Sequence, residues 1–411
     1  MSLFQHHREG DVEELTRLLE GSDSPAVRRR AAEMLSDFDP EATVGPEPED
    51  GTAETVVETL VAAATADDDV EVRAAAVDAL DDLGAAALER FVAELEGVSA
   101  GDRADWAVAR EYVNALSSDR PEVRMAAAAV LGRIGDGSAV GPLTDLLDDP
   151  EPRVRARVVR ALGRIGDRRA NDPVAARLED PNAAVRREAA VALGKLGGEV
   201  VDPLVVALDD GNEGVRRAAV DSLGDLGREA AVDPLVGALD DGSGTVRRAA
   251  VFAVVELLSD APAERSHEMR DSVVSELRTV DDDAVVEPLV ELLREGQQLR
   301  QRRNAAWLLG RVASTDDRAA DALVDALDDD DDAVTRFAST SLAEMDVDVE
   351  GKLLDVLDRS AAAEARAMAA FTLGRVGGER ARERLDALVD ETDDERVRER
   401  ALGALSKLGG R

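Results

Sequence analysis

The chain has 411 residues and no cysteine, which excludes a disulfide framework and cysteine-based zinc or redox chemistry. Acidic residues number 88 against 50 basic ones, a net charge of −38, and aromatics make up only 2% of the chain. Such acidity would suit a disordered protein, but 44% of the residues are hydrophobic and they recur at regular intervals, which excludes one.

The N-terminal stretch MSLFQHHREGDVEEL lacks the basic start and apolar core of a secretory signal. No apolar run approaches the roughly 20 residues needed to span a bilayer. A soluble, cytoplasmic chain without membrane insertion is therefore expected. The first helical unit centres on Val27, and the Pro- and acid-rich stretch 39–54 predicts a loop. A second unit centres on Val72. Residues 85–119 then carry two helix-like segments with Phe91, Trp106 and Tyr112. A regular array follows, in which a Val-Arg pair recurs at Val123, Val154, Val185, Val215 and Val246, in steps of 31, 31, 30 and 31 residues. Residues 258–284 interpose a helix around Ser266–Leu277, and further copies centre on Gln301, Val334, Ala365 and Val397.

This predicts an all-α solenoid of about eleven two-helix units. Degenerate units with the irregular segment 85–119 occupy 1–119, regular units 120–257, an irregular helical insertion 258–284 and C-terminal units 285–411. The irregular stretches are hinges or partner contacts on one reading, and atypical repeats that still pack on the other.

Each unit reads as two short helices. The first opens on a capping residue with proline at the first helical position, as in Asp202-Pro203 and Asp233-Pro234. The second begins near the Val-Arg pair, and apolar residues fall 4, 7, 8 and 11 positions after the valine, as at Ala189, Ala192, Leu193 and Leu196. At about 100° per residue these lie on one stripe. A glycine such as Gly197 or Gly227 ends the helix. So short a helix pair cannot bury its stripe alone, and neighbouring units must stack.

The pattern resembles the HEAT-repeat family, in particular the short HEAT-like repeats first associated with phycobilin lyase subunits. An arginine directly follows the valine at Arg28, Arg73, Arg124, Arg155, Arg186, Arg216, Arg247, Arg302, Arg366 and Arg398. An aspartate stands five residues before the valine at Asp67, Asp149, Asp180, Asp210, Asp241 and Asp329. The resemblance implies that these form a structural Asp–Arg ladder along the stack, a task suited to arginine's planar fork. It also implies that the second helices line the inner, concave surface.

On those helices the positions 2, 6 and 10 after the valine project away from the apolar stripe. They supply Arg187, Arg217, Arg248, Arg303 and Arg336, then Arg160, Phe252, Trp307 and Phe371, then Arg164, Lys195, Arg311 and Arg375, with Arg133 earlier in the last register. A chain this acidic thus keeps a basic stripe dotted with aromatics, the residue types enriched at interface hot spots. The expected occupant is an acidic protein or peptide. Nucleic acid is not expected, because phosphate binding needs a positive field and the surrounding field is negative.

The sequence offers no catalytic signature. It has no phosphate loop, and His6, His7 and His267 are the only histidines. The Asp328 to Asp332 run lacks the spaced ligands and turn glycine of a calcium loop. No cofactor or metal is expected. The resemblance to bilin lyases keeps an enzyme subunit or chaperone as an alternative, and some HEAT proteins bind DNA. The chain is also similar, more narrowly, to HEAT-repeat proteins of halophilic archaea associated with taxis. That resemblance implies partners among the chemotaxis signalling proteins, including the response regulator CheY, and the archaellum motor apparatus. Its three lysines against forty-seven arginines and its acidity likewise resemble proteins of salt-in halophiles.

Overall fold

A computed structural model of the protein describes residues 12–36, 52–96, 105–260, 266–278, 282–360 and 362–409. Among these residues the chain is built from helices and turns without a strand, an α-solenoid of HEAT-like repeats. The chain parts into two compact units, Met1–Pro203 and Leu204–Arg411.

In the first unit the second helices of successive repeats, Pro121–Ile134, Pro152–Ile165 and Ala183–Leu196, pack side by side. Pro121 and Pro152 open their helices, where the missing N–H has no intrahelical acceptor to lose. Asn182 opens the third by accepting a hydrogen bond from the Ala184 N–H. Val154, Val158, Ala161 and Leu162 are buried on one stripe, as the spacing predicts. Glycine sets the approach distance. A Cβ on Gly163 would lie 2.9 Å from the Ala192 Cα of the next helix, and one on Gly132 would lie 2.8 Å from the Ala161 Cα. The same contact recurs in the second unit between Gly224 and Ala253, and between Gly374 and Ala404.

The second unit continues with Glu213–Asp225, Gly244–Asp260, Leu299–Val312, Asp332–Leu342, Ala363–Val376 and Glu395–Lys407 as its second helices. The first helices differ from the expectation in one respect. Pro203 and Pro234 stand third, not first, in Val201–Ala207 and Val232–Gly237. The four N–H groups that open a helix all lack intrahelical acceptors, so the third position tolerates proline for the same reason as the first.

Most of the expected loop 39–54, together with His6 and His7, lies outside the described residues, and helix Thr52–Ala66 already begins within it. Segment 85–119 contains helices Ala85–Glu96 and Asp105–Ala115, which both pack on Pro121–Ile134. Phe91 and Tyr112 are fully buried there, so those two aromatics serve the core. The side chain of Trp106 lies outside the described residues. The interposed helix is present as Ser266–Leu277.

Candidate protein-binding face

The ladder comes first, because it fixes the register from which the face projects. Arg155 donates from Nε and Nη2 to the two carboxylate oxygens of Asp180, both at 2.8 Å, and from Nη1 to its own repeat's Asp149 carbonyl at 2.8 Å. Arg28 with Asp67, Arg124 with Asp149, Arg216 with Asp241 and Arg302 with Asp329 repeat this bidentate geometry. Each ladder aspartate also accepts a hydrogen bond from the backbone N–H two residues on, as Asp180 does from Asn182 at 2.9 Å. One carboxylate therefore closes its own turn and holds the preceding repeat. Where the spacing breaks, the partner changes. Ser118 stands at the aspartate position before Val123, and Arg73 donates instead to Glu122 at 2.6 Å.

In the first unit the structure gathers Arg160, Arg164 and Arg187 around two carboxylates. Arg160 donates twice to Glu188, at 3.0 and 2.9 Å, and Arg187 donates to the same group at 2.8 Å. Arg164 reaches Asp81 at 3.1 Å, where Arg133 also donates at 2.7 Å and the buried Arg157 completes the set. Asp81 is 0% exposed. Burial, with the like charges of Arg160 and Arg164, pushes the Arg157 guanidinium down to about 9, and it stays protonated at neutral pH. Burial alone would raise Glu188, but the fork and charge of Arg160, together with the charges of Arg187 and Arg157, outweigh it and hold the carboxyl below its ordinary range. Lys195 stands apart, exposed and with no acidic partner among the described residues.

In the second unit Arg217 lies 3.6 Å from Asp221, with both side chains more than half exposed. Arg248 pairs with Glu291 and covers the Phe252 ring at 5.5 Å. Arg303 donates to Asp331 at 2.8 and 2.6 Å, which holds that carboxyl far below its usual range. Trp307 has two cations against its ring, Arg311 at 4.4 Å and Arg270 at 5.5 Å, and Arg311 also pairs with Glu344 at 3.3 Å. Arg336 and Arg375 are exposed and have no acidic partner among the described residues. Phe371 lies beneath two cations absent from the sequence expectation, Lys407 at 4.7 Å and Arg400 at 5.4 Å.

The positions expected to form one basic stripe therefore separate by what they touch. Arg160, Arg164, Arg187, Arg217, Arg248, Arg303 and Arg311 are matched by carboxylates of this chain, whereas Lys195, Arg336 and Arg375 are not. Sequence reasoning missed Asp81, although a signal existed: it stands nine residues after Val72, where six other repeats carry glycine. No group of three or more His, Cys, Asp or Glu side chains among the described residues is placed to hold a metal ion. No described helix is long and apolar enough to cross a membrane.

The profile of HEAT repeats matches residues 12–117, 109–180, 171–256, 254–343 and 350–411. The chain belongs to the HEAT-repeat family. This HEAT-repeat chain is 48% identical over 417 residues to a HEAT repeat-containing taxis protein of Halobacterium salinarum, an alignment covering 100% of this chain and 99% of that one. Among solved structures it is similar to an engineered protein, with TM-score 0.41, 23% identity, and 97% and 99% of the two chains covered. It is also similar to the complex of CpcE and CpcF of phycocyanin lyase from Nostoc, with TM-score 0.37, 24% identity, and 64% and 94% covered.

Proposed function

We propose that this HEAT-repeat chain is a non-enzymatic, cytoplasmic scaffold in taxis signalling, and that its second helices hold protein partners. The observation that carries this reading is the full-length, 48% identical relative named as a taxis protein. The expected partners are chemotaxis signalling proteins, among them the response regulator CheY, together with accessory proteins of the archaellum motor. A response regulator presents an acidic phosphorylation pocket, which suits arginines and lysines on a repeat surface. The strong acidity and the scarcity of lysine fit a salt-rich cytoplasm.

The test is genetic. Cells of the native host lacking the chain are tracked under the microscope after an attractant or light stimulus. The expected result is normal swimming speed with loss of stimulated reversals. Unchanged reversal behaviour contradicts the taxis reading.

A further inference from the structure

Three aromatic side chains on the second helices of the Leu204–Arg411 unit carry cations over their rings: Phe252, Trp307 and Phe371. At the first two a cation is already neutralised within the chain, Arg248 by Glu291 and Arg311 by Glu344. Phe371 differs. Lys407 and Arg400 both lie over its ring, both are exposed, and neither has a carboxylate partner among the described residues. Arg375, one helical turn beyond Phe371 on the same helix face, is exposed and unmatched as well.

Register explains the grouping. Phe371 stands six residues after its repeat's Ala365, and Arg400 stands three after Val397 in the next repeat. The corresponding pair in the first unit is Arg160 and Glu188, which form an ion pair. The same contact is thus built once from opposite charges and once from a ring and a cation. A ring holds a cation in place without cancelling its charge. Arg400 and Lys407 are therefore pre-ordered yet still able to bind an anion, which lowers the entropy lost on binding. Between them on the helix is Gly403, with no heavy atom within 4 Å of where its Cβ would be, so the space between the two cations is open.

We infer that Phe371, Arg375, Arg400 and Lys407 form a docking point for an acidic segment of a partner protein, one whose carboxylates alternate with apolar side chains. The inference rests on the scaffold reading and gives it a location. Two unmatched cations over a half-buried ring, with Arg375 one helical turn away, favour carboxylates with apolar neighbours. A polyphosphate chain carries no apolar group to set against the ring.

The test uses the full chain at molar salt and a short fluorescein-labelled peptide of alternating aspartate and leucine, followed by fluorescence anisotropy. The double variant Arg400→Glu with Lys407→Glu should weaken binding by about tenfold or more, because like charges then face the peptide. Phe371→Leu, which preserves the packing but not the ring, should weaken it less, and helicity should be unchanged in both. Arg359→Glu, at an exposed position on the first helix Glu350–Arg359 and outside the candidate face, should leave binding as it was. Equal weakening by Arg359→Glu, or tighter binding of an oligothymidylate than of the peptide, overturns the site. Taxis proteins bound as well by the double variant as by the unaltered chain also overturn it, and leave the scaffold standing. Peptide binding that depends on Arg400 and Lys407, in a chain that binds no taxis protein, keeps the site and removes the taxis reading.

Discussion

Arg216 holds Asp241 in its fork, with Nε 2.7 Å from one carboxylate oxygen and Nη2 2.9 Å from the other, while Nη1 donates to the Asp210 carbonyl at 2.9 Å. Three donors of one side chain thus tie two repeats together at a largely buried position. Arg217, the next residue, is more than half exposed, and its acidic partner among the described residues is Asp221, at 3.6 Å. Arg216→Ala strands a carboxylate and should cost about 3 kcal/mol, toward the lower end for a buried pair because this one keeps some access to water. Arg217→Glu should change stability by about 0.5 kcal/mol or less. Denaturant titration of the two variants measures both, and equal destabilisation would contradict the division between ladder and face.

Acid should undo the same contacts. The bond from Arg216 holds the Asp241 carboxyl below its ordinary range, and that from Arg303 does the same for Asp331. A carboxyl depressed in the folded state contributes fully above its unfolded pKa of about 3.9, and the contribution is lost as pH falls through the folded value. At molar salt, stability should therefore be level from neutral pH to about 4 and fall below it. The fall should be shallower in Arg216→Ala, which has already lost one such contribution. Parallel pH profiles for the two proteins would contradict this.

Salt should act in the opposite sense at neutral pH. Repulsion among 88 acidic side chains is screened over about 3 Å in molar salt, against about 10 Å at 0.1 M. The melting temperature should rise between those limits. The ladder pairs are largely buried and screened less, so the gain comes from the exposed acids. A flat response would mean that the surface charge does not strain the fold.

The repeat contact at Gly163 gives a steric test. A methyl group there would lie 2.8 Å from the Ala192 Cβ and 2.9 Å from its Cα, and the backbone atom cannot swing aside. Gly163→Ala should destabilise by about 1–3 kcal/mol despite alanine's better helix propensity. A stabilised variant, seen by thermal melting, would show that the two helices are not held at this distance.

The fold was legible because, from Val123 to Val246, a valine followed by an arginine recurs every 30 or 31 residues, most copies with an aspartate five positions ahead, and each has a single physical duty. The ladder could be read for the same reason. The binding face was legible only as positions. Whether Arg160 is free or paired depends on Glu188, three residues after the valine of the next repeat. In neighbouring repeats that position is a buried alanine, Ala218 or Ala249. Arg400 occupies the same register, and nothing in its own repeat shows that Phe371 lies beneath it. Asp81 sits at a place that is glycine in six other repeats, and the arginines that enclose it, Arg133, Arg157 and Arg164, come from the two repeats that begin at Pro121 and Pro152.

The central claim is that the chain is a protein-binding scaffold of the taxis apparatus. Titration calorimetry of the full chain against the host's purified response regulator, at molar salt, tests it most directly. The account predicts saturable binding that weakens markedly when Arg400 and Lys407 are replaced by glutamate, and that is unchanged by Arg359→Glu. Absence of heat with the response regulator and with every other chemotaxis signalling protein of the host would contradict it.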